Sequence, residues 1–333
     1  MKTIAFFNNK GGVGKTTLVY HLSWMFADMG HNVIAADLDP QSNLTSMFLD
    51  EDRLEELWPD GKHSNTIQGV IEPILRGLGD IQTPHVEAID AQMGLLSVDI
   101  GLIAGDLALF GFEDRLADAW PRCHNRDESA FRTMTAFYRA ILMAAEQRSA
   151  ELVLIDVGPN LGAINRAALI ASQYVVIPLA PDLYSLQELR NLGPQLRLWR
   201  ETWGELRGRS PDPNLPLPAG DMRPTGYVVM QHATRADHPM KAYLRWMDRI
   251  PGEYRRSVAN EPPDVSVHVE NDPHCLAALK NYRSLMPLAM EARKPMFRLK
   301  PADGAIGAHG QAVHDCYTDF HALAQKILSA IGG

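Results

Sequence analysis

Cysteine is scarce in this chain of 333 residues: the three present, Cys123, Cys275 and Cys316, lie far apart and form no C-x-x-C pair. That spacing argues against a disulfide framework, a structural zinc site and a thiolate-held cluster, and leaves buried or incidental thiols. Long apolar runs are missing too, since nothing approaches the roughly 20 residues that a membrane-spanning helix needs. The start of the chain lacks the charged-then-apolar layout of a secretory signal, so the expected compartment is the cytoplasm. Positive charge is in deficit, with 32 Lys and Arg against 40 Asp and Glu and a formal net charge of -8. Any contact with nucleic acid is therefore confined to a local patch. No internal repeat or low-complexity tract occurs, and 46% hydrophobic with 22% charged residues is the composition of a packed globular protein.

The hydrophobic pattern that is present alternates between strand and helix. Thr3 to Phe7 is a short apolar run, a glycine-rich turn follows, and Leu18, Leu22, Met25 and Met29 then recur at helical spacing. Gly30 reads as a left-handed helix cap and Asn32 to Ala36 as the next strand, the order that builds a parallel sheet. Further buried strands are expected at Glu151 to Asp156, Tyr174 to Leu179 and Gly226 to Met230. A helix opened by Ser185, with Glu188 completing a capping box, follows the second of these. Between about 51 and 130 only Gly94 to Val98 looks like a strand, and the stretch reads as an elaboration of the same domain. Gly204 to Pro224, with five prolines and three glycines, reads as a long loop, functional or mobile. Gln311 to Ile331 reads as a terminal helix that docks through Val313, Tyr317, Phe320, Leu323 and Ile327. The whole chain, 1–333, is expected to be one α/β domain with a mostly parallel sheet flanked by helices on both faces.

Lys10-Gly11-Gly12-Val13-Gly14-Lys15-Thr16-Thr17 stands between a strand and a helix, the setting of a nucleotide-binding P-loop. Glycines let backbone N–H groups face phosphates, and the helix start adds the positive end of its dipole. Lys15 is placed for the β- and γ-phosphates of ATP, and the Thr16 hydroxyl for Mg2+. The first glycine of the usual motif is replaced by Asn9, and Lys10 follows it. Asp37-Leu38-Asp39-Pro40-Gln41 closes the second strand, where a carboxylate falls beside the loop; a turn-forming Asp-Pro cap is the ordinary alternative. Leu152-Val153-Leu154-Ile155-Asp156 is a buried run whose terminal carboxylate is suited to a Mg2+ shell.

Together these segments resemble the deviant Walker A group, which contains the ParA and MinD families, with the ParA partition ATPases the better match. The resemblance implies a P-loop NTPase fold and a slow, partner-stimulated ATPase that dimerises around ATP. It also implies that Lys10 reaches the phosphates of the facing subunit and that Asp39 orients the attacking water. Val157-Gly158-Pro159-Asn160-Leu161-Gly162 resembles the family's second switch, with Gly158 where a proline is usual. Leu285 to Phe297 resembles a late segment ending in Gly-Lys-Pro, here Arg293-Lys294-Pro295. Gln231, after the Gly226 to Met230 strand, stands at a family position for adenine recognition.

Lys241, Arg245 and Arg249 are four residues apart and would form a basic stripe on a helix, with Met240, Leu244 and Met247 turned inward. From His232 to Arg256 there are six Lys and Arg against three Asp and Glu. Such a stripe suits nonspecific, phosphate-directed DNA binding, and equally suits a solvated amphipathic face. With the P-loop at residue 10, the chain resembles the short partition ATPases that carry no operator-reading domain. The implied partners are a second copy, a ParB-like or cargo-adaptor protein and nonspecific DNA. A MinD-like membrane switch would need a basic amphipathic tail, whereas His321 to Gly333 has one lysine, Lys326. A partner-read signalling or defence ATPase and a metabolic P-loop enzyme stay open as alternatives.

Overall fold

The computed structural model describes residues 1–93, 96–230, 240–264, 266–282 and 284–332. Its strands are β1 (Lys2–Phe6), β2 (Val33–Asp37), β3 (Glu87–Met93), β4 (Leu96–Ile103), β5 (Leu152–Asp156), β6 (Tyr174–Leu179), β7 (Arg223–Met230) and β8 (Cys275–Leu279). They form one sheet in the order β3-β4-β2-β5-β1-β6-β7-β8. Every pairing is parallel except β3 with β4.

Strand side chains alternate between two cores, as a period of two requires of a sheet covered on both faces. Ile4, Phe6, Val33, Ala35, Leu152 and Leu154 enter one core, and Ala5, Ile34, Ala36, Val153 and Ile155 the other. The first face is covered by α1 (Lys15–Asp28), α2 (Asn43–Phe48), α3 (Glu51–Leu57), α12 (Met286–Ala292) and α13 (Ala308–Ala330). The second is covered by α4 (Ile67–Arg76), α5 (Glu113–Cys123), α6 (Glu128–Met134), α7 (Ala136–Arg148), α8 (Ala163–Ile170) and α9 (Leu183–Arg207). Short helices α10 (Met240–Met247) and α11 (Ile250–Tyr254) follow β7.

Register positions the chemistry. Phe6 pairs with Asp156 and Asp156 with Asp37, so β1, β5 and β2 end level with one another. The loops leaving them open side by side at the carboxyl edge of the sheet, where ligands of such folds collect.

Several boundaries differ from the sequence reading. The strand expected at 94–98 is part of the longer β4, whose run is interrupted by Asp99 and Gly101, and Gly94 lies outside the described residues. β3 and β8 were not anticipated: neither Glu-Ala-Ile-Asp-Ala-Gln-Met nor Cys-Leu-Ala-Ala-Leu is rich in β-branched residues, and sheet pairing overrides that weak propensity. Helix α9 starts at Leu183 rather than Ser185. Its N-cap is Asp182, whose carboxylate accepts from the Ser185 N–H at 2.9 Å, while the Ser185 hydroxyl accepts from the Ala180 N–H. On α13 the docking stripe is Cys316, Phe320, Leu323, Ala324 and Ile327, with Tyr317 left exposed. All three cysteines are buried and free.

The proline-rich loop shortens to residues 208–222, because α9 continues to Arg207 and β7 begins at Arg223. It is fastened rather than loose. Trp203 is fully buried and donates to the Pro218 carbonyl at 3.0 Å, and Arg200 donates to the carbonyls of Asp221 and Met222. Gly220, at φ 70°, fits against the Trp203 ring where a Cβ would stand 2.2 Å from Cδ1.

Helix α9 also meets the turn at Arg255–Ala259 without spare room. A Cβ on Gly193 would lie 1.8 Å from the Ser257 carbonyl oxygen. Helix propensity alone favours Ala over Gly by about 1 kcal/mol. We expect Gly193→Ala to do the opposite and destabilise by ~1–3 kcal/mol, read as a lower denaturant midpoint.

Candidate nucleotide site

The loop after β1 is shaped by two glycines in the left-handed region, Gly12 at φ 72° and Gly14 at φ 83°, the latter being the N-cap of α1. No side chain caps α1 and its first turn holds no acidic residue, so its leading N–H groups face an open, positive helix end. Asn8, fully buried, secures the loop from below. Its amide donates to the Pro178 carbonyl at 2.7 Å, and its side-chain oxygen accepts from the Lys10 N–H at 2.9 Å.

Lys15 is buried, with its ammonium 3.2 Å from the Lys10 carbonyl. Burial lowers its pKa, against the pull of Asp156 and Asp39. Asp156 is wholly buried, and neither of its carboxylate oxygens has a hydrogen-bond partner. Burial drives its pKa well above the usual carboxylate range, and the neighbouring Asp37 adds to the rise. The Thr16 hydroxyl and Lys15 oppose that rise without completing a hydrogen bond to it.

Asp37 is the third buried charge. It accepts from the Thr45 N–H at 2.8 Å, the Thr45 hydroxyl at 2.7 Å and the Asp39 N–H at 3.3 Å. Burial raises its pKa to about 7, with Thr45 holding it back and Asp39 adding to it. Asp39, also buried, accepts from the Gln41 N–H at 3.0 Å. Gly158 is packed against it: a Cβ there would stand 3.2 Å from Asp39 Oδ1. The departure from the family's usual proline therefore falls where a larger residue would press on that carboxylate.

An orphaned buried carboxylate beside a hydroxyl, a desolvated lysine and an uncapped helix start together leave charge unbalanced. Mg2+ with a triphosphate fits this donor set: Thr16 and Asp156 suit the metal, and Lys15 with the loop N–H groups suits the phosphates. A small apolar cavity of about 140 Å3, lined by Thr17, Met230, Leu279, Tyr282, Met286 and Phe320, adjoins α1. A larger one of about 520 Å3 shares Thr17 and Met286 and reaches Tyr20, Asn43 and Arg293.

Lys10 turns away from this centre. Its ammonium makes an ion pair with Asp182, the α9 N-cap, and stands 5.6 Å over the Tyr184 ring. Arg293, in place of the family glycine, adopts φ 49°, the left-handed conformation natural to glycine, and donates to the Leu49 carbonyl.

The structure thus groups Gly11, Gly12, Val13, Gly14, Lys15, Thr16, Asp39 and Asp156 at one edge, with Thr17 facing both cavities. Gln231 lies outside the described residues. The basic stripe is altered: α10 ends at Met247, so Arg249 stands beyond it, and Leu244 is exposed instead of turned inward. Arg245 and Arg249 are exposed and each packs 5.2 Å from the Trp246 ring. Sequence reasoning passed over Asn8, Asp182 and the cavity residues. Only Asp182 carried a local signal, the spacing of Asp before Ser185 that marks a helix cap.

Asp156, buried with neither oxygen hydrogen-bonded, destabilises the fold, a cost that Lys15 offsets only in part. Asp156→Asn should raise the protein's denaturation free energy by ~1–3 kcal/mol while removing Mg2+-dependent ATP turnover. Parallel denaturation and phosphate-release measurements check this.

Comparison with known proteins agrees with the geometry. A family model described as an AAA domain matches residues 1–205. Protein IncC of Escherichia coli is 27% identical over 192 residues, 58% of this chain and 44% of that protein. The chromosome-partitioning ATPase Soj of Thermus thermophilus is 31% identical over 209 residues, 60% of this chain and 67% of Soj. The match thus spans under half of IncC. Among solved structures, protein DIP2308 of Corynebacterium diphtheriae superposes with a TM-score of 0.71 at 23% identity, covering 99% of this chain and 98% of that one. The ParA of pNOB8 gives 0.64 at 19%, covering 99% and 98%, and it is also known bound to nonspecific DNA. This chain belongs to the AAA-domain family of P-loop ATPases and, within it, to the ParA family of partition ATPases.

Proposed function

We propose that this protein is an ATP-dependent dimerising switch for DNA partitioning or cargo positioning, acting from the cytoplasm and holding nonspecific DNA in its ATP-bound state. We read the whole chain as one domain with a single nucleotide site. The observation that carries the reading is Lys10: a second P-loop lysine, a quarter exposed, whose ion pair is with the exchangeable Asp182 and whose charge is also felt by Glu188. It stands at an edge rich in uncovered apolar side chains. Of the twelve exposed large hydrophobic residues described, five lie on the segments that follow β4, β5 and β6: Leu107, Phe110, Leu161, Leu183 and Tyr184. Such a concentration suits a surface that another molecule covers.

In this reading Lys15 and a Lys10 supplied by the second copy neutralise charge on the transferring phosphoryl group, and Asp39 aligns the attacking water. Thr16 and Asp156 hold Mg2+, which when bound neutralises the β- and γ-phosphate oxygens. The base would fit the small cavity between Met230, Tyr282 and Met286, with Gln231, next in sequence to Met230, kept as its expected polar contact. Turnover stays slow until a ParB-like or cargo-adaptor protein completes or adjusts the site.

Light scattering with ATP tests the switch. Lys10→Ala should abolish ATP-dependent dimerisation while still binding nucleotide, and Asp39→Ala should accumulate the ATP-bound dimer. A Lys10→Ala protein that dimerises like the wild type overturns the cross-subunit role.

The DNA surface is read as Arg245 and Arg249 flanking Trp246, with Lys241 earlier on α10. Two guanidinium groups held against one indole form a fixed cationic face suited to phosphates. Arg245→Glu/Arg249→Glu should weaken retention on random-sequence DNA and flatten its salt dependence by about two phosphate contacts. Unchanged retention removes this surface.

A further inference from the structure

Helix α8 begins directly after the loop that carries Gly158, yet it supplies no cap for itself. Its N-cap is Gly162, with no side-chain hydrogen bond and no acidic residue in the first turn. The N–H groups of Ala163 and Ile164 donate instead to the two carboxylate oxygens of Glu113, at 2.5 and 2.8 Å. Glu113 is the first residue of α5, on the stretch 51–130, which diverges from the family in having none of the motifs that carry the resemblance. A carboxylate across two N–H groups at the positive end of a helix makes charge-assisted bonds of fixed direction. There is no slack in the fit: a Cβ on Gly162 would lie 2.7 Å from Glu113 Oε1.

What Glu113 holds leads to the reacting centre. Asn165, on the first turn of α8, donates from its amide to the carbonyls of Gly158 and Asn160, each at 2.8 Å. The loop 157–162 is thereby tied back onto the helix that Glu113 secures. At the far end of that tie, Gly158 abuts Asp39. The residue after Asn165, Arg166, places its guanidinium 4.4 Å over the Trp120 ring and donates to the Leu116 carbonyl at 3.4 Å, which fixes α8 to the same α5 a second time. Contact is continuous from α5 through α8 and Asn165 to Gly158 and Asp39.

We propose that Glu113 is a positioning residue for ATP hydrolysis: by anchoring α8 it sets the loop that holds Asp39 in the orientation needed to align water. The proposal rests on the reading of Asp39 given above and assigns the divergent stretch a part in setting turnover. Displacing a catalytic group by a fraction of an ångström lowers the rate of the chemical step with little effect on substrate binding.

The experiment is steady-state hydrolysis of Mg2+–ATP by full-length wild type, Glu113→Asp, Glu113→Gln and Glu113→Ala, with the folded fraction of each measured by denaturation. Glu113→Gln keeps the shape and one acceptor, so it carries the test even where Glu113→Ala folds poorly. We expect kcat to fall about tenfold in Glu113→Gln and further in Glu113→Ala, with KM within about twofold of wild type. Glu113→Asp should recover part of the loss. In an Asp39→Asn background Glu113→Gln should lower kcat no further, because the two act through one group. A Glu113→Gln protein with wild-type kcat and a lower denaturation midpoint overturns the proposal and leaves a structural cap. Losses that multiply in the double variant overturn it as well. If Asp39→Asn alone leaves turnover unchanged, the assignment of Asp39 is what fails, and the positioning role falls with it.

Discussion

Asp37 and Asp156 end neighbouring strands at the same height, and both are sealed from water by the packing that makes the sheet stable. Two carboxylates so placed repel each other and pay for desolvation, and a folded chain tolerates this where one takes up a proton or where something else supplies opposite charge. Lys15 is the one buried ammonium beside them among the described residues, and it is itself desolvated. The described residues alone leave Asp156 short of positive charge and of hydrogen-bond donors. Mg2+ beside Asp156 would supply the missing positive charge, and Lys15 would then face the phosphates, so ligand affinity and fold stability would be linked through these residues.

The rest of the edge is organised around that deficit. Asp37 uses its three hydrogen bonds to fasten the start of α2 and the backbone of Asp39, while the Thr45 hydroxyl accepts from the Gly105 N–H at 2.7 Å. Glu113, eight residues further on, grips α8. Residues 105–113 thus touch α2 and α8, the helices that follow the loops after β2 and β5, which gives the divergent stretch a physical place beside the chemistry. Asp182 has a similar double duty, since it caps α9 and pairs with Lys10 in the single chain. An ion pair between partly exposed groups is worth little in water, so it holds Lys10 lightly.

Legibility followed the range of the interactions. The P-loop could be read because its glycines, lysine and threonine act through backbone geometry within eight residues. β1, β2, β5, β6 and β7 could be read because a strand buried on both faces must be apolar along its length. The basic stripe was read as one helix, whereas α10 ends at Met247 and Arg249 caps the start of α11, a boundary that charge spacing does not record. β3 and β8 were invisible because their residues suit a strand only when a neighbour is there to pair with.

Residue order by itself determined the phosphate loop, the two acidic strand ends and the parallel α/β architecture, since each follows from local backbone preference and burial periodicity. Tertiary structure alone decided that Asp182 would meet Lys10, that Glu113 would cap a helix 50 residues away, and that Gly158 would close on Asp39. The physical reason is that these are contacts between groups on different elements. Their distances are set by strand register and helix packing, which no spacing along the chain records.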